Sequence, residues 1–149
     1  MLHLPYGYTA LDYIDLLKVT RKLTRNEAAV AEMFRRACFN VFAHNRDDHS
    51  RNFAFLMDEH GTWSPSPAYD LTFSPGPGGE HTMLVAGEGR APGREHLAAV
   101  ARRAELRHSA KIVDQVRAAI SRFRIHADRA GVPARLRDKV ASALLPAKR

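Results

Sequence analysis

Nine consecutive polar residues, His44-Asn45-Arg46-Asp47-Asp48-His49-Ser50-Arg51-Asn52, stand between two apolar segments. Before them, Val30, Met33, Phe34, Ala37, Cys38, Val41 and Phe42 recur at i, i+3, i+4 spacing, the stripe that a core-facing helix requires. After them, Phe53-Ala54-Phe55-Leu56-Met57 is short, apolar and aromatic, which predicts a strand. A polar loop pinned at both ends by buried elements can hold its side chains in fixed geometry. This loop is therefore the first candidate for chemistry.

The rest of the chain is organised around that loop. Residues 1–23 read as an irregular lead followed by a short helix, Leu11 to Lys22. Thr24 with Glu27 three residues later has the signature of a capping box for the striped helix. Asp58-Glu59-His60-Gly61 is turn-like, so Thr62-Trp63-Ser64 is expected to pair back on the first strand until Pro65 and Pro67 stop it. Trp63, Phe53 and Phe55 are read as hairpin core. Residues 24–73 thus hold a buried helix, the polar loop, a hairpin and Ala68-Tyr69-Asp70-Leu71. Residues 74–93, rich in Gly and Pro, predict a long, exposed, flexible loop. Residues 94–149 predict a basic helical part. It comprises Arg94 to Leu106, then Ala110 to Ala130 with an Ile112, Val113, Val116, Ala119, Ile120 and Phe123 stripe. A last helix, Ala134 to Leu145, follows the Gly131-Val132-Pro133 break. The expected fold is a single domain over 1–149, mainly α with one short β-hairpin.

Composition narrows the class. A chain of 149 residues with 45% hydrophobic and 26% charged residues can bury a core, unlike a disordered segment. Its single cysteine, Cys38, rules out an internal disulfide and a thiolate zinc cluster, as in a reducing compartment. No apolar run is long enough to span a bilayer, and Asp12 and Asp15 interrupt the first apolar stretch. A cytoplasmic location without a membrane partner is expected. The formal charge of +7 is uneven: residues 1–74 hold 8 Lys and Arg against 9 Asp and Glu, whereas 75–149 hold 15 against 7. A basic half can attract acidic partners or nucleic acid, and it equally suits arginines coating helix faces.

Within the polar loop, Asp47-x-x-x-x-Asn52 has the spacing of phosphotransferase catalytic loops. There, an aspartate accepts the proton of the attacking hydroxyl and an asparagine five residues on binds magnesium. A hard ion needs oxygen ligands, and Asp70 is the candidate for a second one. A hairpin between them folds the chain back, so Asn52 and Asp70 can meet across 18 positions.

The run His44 to Phe55, followed by Pro67-Ala68-Tyr69-Asp70-Leu71, resembles the C-terminal domain of HipA-like serine/threonine kinases, the toxin kinases of bacterial toxin–antitoxin pairs. The Asp-x-His-x-x-Asn loop is also similar to that of phosphoinositide-type kinases. His81-Thr82-Met83 and Gly87, leading into Arg94-Glu95-His96-Leu97, are similar to the family's segment after its metal-binding aspartate. The resemblance covers roughly residues 25–125. It implies a protein-kinase-like C-terminal lobe that moves the ATP γ-phosphoryl group to a protein Ser/Thr hydroxyl. Asp47 would be the base, Asn52 and Asp70 the Mg2+ ligands, and His49 the motif's histidine beside the nucleotide. A histidine in such a loop equally suits a hydrogen bond to neighbouring backbone, and Asp48 reads as loop scaffold or solvent-facing. The resemblance further implies a HipB-like antitoxin as partner, with nucleic acid engaged only indirectly.

Only 46 residues precede Asp47, with no Gly-x-Gly-x-x-Gly among them. The nucleotide-holding N-terminal lobe is therefore expected on a separate chain or beyond this one, with this lobe inactive alone and exposing apolar surface where its partner belonged. Two other readings stand beside this one. The basic helices could make a non-catalytic module that docks an antitoxin, an acidic protein or nucleic acid. Alternatively, His44, Asp47, Asp48 and His49 could form a hydrolase metal site.

Overall fold

A computed structural model describes residues 11–145, so the irregular lead expected over residues 1–10 lies outside the described residues. Among those described, six helices and a single two-stranded antiparallel hairpin form the fold, as the hydrophobic patterning predicts. No helix is long and apolar enough to cross a membrane.

Helix α1 spans Tyr13–Thr24, two residues later at each end than its pattern suggests. Asp12 sets its start by accepting a hydrogen bond from the Ile14 N–H at 2.8 Å. The same carboxylate accepts from the Ala86 and Gly87 N–H groups, which fastens this helix end to a distant turn. Helix α2 spans Glu27–Phe42. The expected capping box does not form. Thr24 ends α1 and turns its hydroxyl back to the Thr20 carbonyl, Asn26 caps α2 through the Ala28 N–H, and Glu27 pairs with Arg21. Asn26 wins because Arg25 adopts a left-handed conformation (φ +51°) to close α1, leaving the next residue extended and free to cap.

The α2 stripe is the centre of the core. Val30, Met33, Phe34, Ala37 and Cys38 are fully buried against α1 and helix α4, Ser109–Ser121, while Phe42 is only half-buried. Burial pushes the Cys38 thiol up to about 12. Helix α3, Arg94–Arg103, adds Leu97, Val100 and Ala101 to the same core.

Two expectations need correction. The segment 74–93 is not an exposed loop throughout: Met83 (2% exposed) and Val85 (0%) enter the core, and His81 is buried. Glycine and proline content marks irregular backbone, but Met83 and Val85 still bury apolar side chains, and Leu84 exchanges backbone hydrogen bonds with Leu11 and Tyr13. The long helix expected over 110–130 is broken into α4 and α5, Phe123–Arg129. The Ala118 carbonyl, which would accept the Arg122 N–H, instead takes the Ser121 hydroxyl and Arg122 Nε, and the N–H turns to Ala119. Helix α6, Ala134–Leu144, packs on α5 through Val140, Ala141 and Ala127.

Strands β1, Phe55–Met57, and β2, Trp63–Pro65, pair with Phe55 opposite Pro65 and Met57 opposite Trp63. Pro65 therefore ends the ladder from within it. The hairpin is less buried than its composition implies: Leu56 and Met57 are more than half exposed, and Phe55 and Trp63 half-buried. Phe53 stands edge-on to Tyr13, ring centroids 5.9 Å apart. Of the seven large exposed apolar side chains among the described residues, Leu56, Met57, Tyr69 and Leu71 lie within this one stretch.

Candidate active site

The polar loop begins where α2 runs out. His44 takes φ +49°, reversing the chain so that Asn45 and Arg46 run beside Ser74. Burial and the neighbouring positive charges of Arg46 and His81 lower the His44 pKa, favouring a neutral ring, which stacks on Phe73. From here the loop's side chains divide between two directions.

Asp48 points inward and is completely buried. Its Oδ1 accepts from the Thr82 and Met83 N–H groups at 2.9 and 3.2 Å. Its Oδ2 accepts from the Tyr13 hydroxyl at 2.7 Å and lies 2.9 Å from His81 Nδ1. A buried carboxylate is costly unless its oxygens are satisfied, and four partners satisfy these. Burial first, and the Asp48 charge second, raise the Tyr13 pKa well above its ordinary value. The network continues through Asn40, whose Nδ2 donates to the Tyr13 oxygen, to Asn45. Asn45 Nδ2 in turn donates to Asn40 Oδ1 at 3.0 Å and to the backbone carbonyl of Asp70 at 3.1 Å. One polar chain inside the core thus ties the loop to the distant Asp70.

Asp47, Asp70 and His49 present to the other side. Asp47 and Asp70 are exposed and His49 is half-buried, and one ligand atom from each lies within 4.8 Å of the others. Asp70 has φ +53°, a conformation Asp tolerates better than most residues. The Asn45 bond to its carbonyl and the Tyr69 hydroxyl donating to the Arg51 carbonyl at 2.6 Å hold this segment against the loop. Asn52 ends a 3-10 turn, Ser50–Asn52, and its Nδ2 donates to the Asp47 carbonyl at 2.9 Å, leaving Oδ1 as the amide's oxygen donor. The loop side chains that converge with Asp70 are Asp47 and His49, where Asn52 was expected.

The donor set suits a divalent cation. Two carboxylates this close repel each other, by about 1 kcal/mol at 4 Å in water and more at a protein surface, and a cation between them removes that cost. Asp48 is scaffold, and that overturns the hydrolase site of His44, Asp47, Asp48 and His49. Asp48 spends its oxygens inside the core and His44 lies on Phe73, so neither joins the convergent group. The backbone-bonded reading of His49 also fails: its Nδ1 is buried without a hydrogen-bond partner, and although His49 is the N-cap of the 3-10 turn its side chain makes no capping hydrogen bond.

The inner network was not evident from motif spacing, although one signal existed. Asn40 falls at i+7 from Met33 and i+3 from Ala37, a polar residue on the apolar face of α2. Such a residue needs a buried partner, and Tyr13 and Asn45 supply it.

Neither the curated proteins nor the solved structures include a match to this chain. A family model does match: HipA-like C-terminal domain, over residues 1–123. The matched region closes at the α4–α5 break, with α5 and α6 beyond it. With the convergent Asp47, His49 and Asp70 inside that match, the chain belongs to the HipA-like C-terminal domain family.

Proposed function

We propose that this domain is the C-terminal lobe of a HipA-like protein serine/threonine kinase of a toxin–antitoxin system, working with an N-terminal lobe that holds the nucleotide. The observation that carries this reading is the convergence of Asp47, His49 and Asp70 at one exposed place within a family-matched chain. Asp47 is the base: its carboxylate takes the proton as a substrate Ser or Thr oxygen bonds to the γ-phosphorus and the bond to the bridging oxygen of ADP breaks. Asn52 Oδ1 and the Asp70 carboxylate are the hard donors that would hold Mg2+, which when bound supplies positive charge against the phosphates. Asn52 also fixes the Asp47 backbone, and the Asn45 bond keeps Asp70 facing it. His49 lies beside the nucleotide in this reading. A protein hydroxyl substrate, a HipB-like antitoxin and a cytoplasmic setting belong to the same proposal.

Calorimetry of Mg-ATP binding, with and without a candidate N-terminal lobe, tests it. Binding that appears or strengthens with both lobes present, and phosphoryl transfer lost in Asp47→Asn, support the reading. Transfer at the wild-type rate in that variant refutes it. A second reading, a non-catalytic docking module, is favoured by one feature: Arg102, Arg103 and Arg107 are all exposed around the end of α3. It requires binding to an acidic protein or nucleic acid that weakens steeply with salt and is lost when these three charges are reversed.

A further inference from the structure

We propose that Asp47, His49 and Asp70 form a three-ligand site for a divalent ion of the zinc class, sharing Asp70 with the Asn52–Asp70 pair assigned to magnesium. Two observations bear on this site. The three ligand atoms lie within 4.8 Å of one another. His49 Nδ1 is moreover shut away from solvent without a protein partner, an unmet nitrogen in a half-buried residue. Buried polar atoms without partners are uncommon and ask for a cause.

The chemistry of the set selects the ion. Magnesium prefers an all-oxygen shell and dehydrates reluctantly, whereas imidazole with carboxylates suits zinc and its neighbours. Ligands of such an ion stand about 2.0–2.2 Å from it, so small side-chain turns bring these three onto one centre. Three protein ligands leave a further position open, as in sites that exchange a water. Asp48 and Asn45 fix the backbone on either side of the group, so the site is supported from the core. The functional consequence rests on the phosphotransferase reading: with its carboxylate bound to the ion, Asp47 cannot accept a proton, and a zinc-class ion acts as an inhibitor of transfer.

Titrating Co2+ into the whole chain, followed by its visible absorption, tests the site without ATP or a second lobe. The expected result is one Co2+ per chain, displaced by equimolar Zn2+ and retained against a roughly hundredfold excess of Mg2+. His49→Ala should weaken binding by about tenfold or more, while His60→Ala, at the exposed hairpin turn, should not. Binding unchanged by His49→Ala, or Mg2+ competing on equal terms, overturns the proposal. Should His49→Ala fail to fold, the nitrogen resonances of His49 in the wild-type chain decide. They must shift on adding Zn2+, and unmoved resonances overturn it equally. Loss of the cobalt site leaves the Mg-ATP reading standing, and failure to bind Mg-ATP leaves the cobalt site standing.

Discussion

Two neighbouring carboxylates of one loop have opposite fates. On the inner side of the loop Asp48 is saturated, with four hydrogen-bond partners and no exposure, and Asn45 bonds through Nδ2 while its buried Oδ1 has no partner. The outer side, Asp47, His49 and Asp70, leaves two carboxylates facing each other and a ring nitrogen unpaired. The difference teaches how a small domain keeps an unfavourable cluster in place. The inner side supplies the rigidity, and the outer side retains unmet chemistry that a ligand can satisfy.

The contrast is broken most severely at Asp48. Asp48→Ala strands the Tyr13 hydroxyl, His81 and two backbone N–H groups in the core, and should destabilise the fold by about 3–5 kcal/mol. Urea unfolding measures this, and a loss below about 1 kcal/mol would show that the network contributes little. Next in size is Asn45→Ala, which frees Asn40 Oδ1 and the Asp70 carbonyl. About 1–3 kcal/mol should be lost, together with metal affinity at Asp70, read by the same unfolding and by metal titration.

The Tyr13 pKa adds a pH test whose sign is fixed. A phenol held protonated by burial and by Asp48 contributes stability in full below its unfolded pKa, near 10. That contribution is lost as pH rises further. Alkaline unfolding of the wild type should therefore steepen above about pH 10, and Tyr13→Phe should show a shallower slope there. Cys38, raised to about 12, adds a similar dependence that begins lower, near pH 9. The smallest effect belongs to the outer side. Asp47→Asn should change stability by no more than about 0.5 kcal/mol and, by removing a repulsion, raise the melting temperature if it moves it at all. A marked fall would mean that Asp47 supports the fold.

The elements legible in the sequence were those with a strong period. The α2 stripe from Val30 to Val41 and the hairpin after it needed only local patterning, and both stand. On the outer side the spacing singled out the loop and Asp70 but joined Asn52 to Asp70, whereas the side chains that converge with Asp70 are Asp47 and His49. Competition between local alternatives was not legible. Thr24 could cap one helix or close another, and the conformation of Arg25 decided it. Likewise Ser121 and Arg122 diverted a single carbonyl and split a helix whose apolar period runs on. Long-range pairing was hidden for another reason: Asp48 meets His81 across 33 positions and Tyr13 across 35, and no window of local sequence links them.

Cys38 lies sealed within α2, its thiol held in the protonated and unreactive form. Because the chain has no other cysteine, a reporter thiol placed at an outward position such as Met57 would carry a fluorophore or spin label alone. The buried native sulfur would stay silent while that label reported on whatever approaches the hairpin.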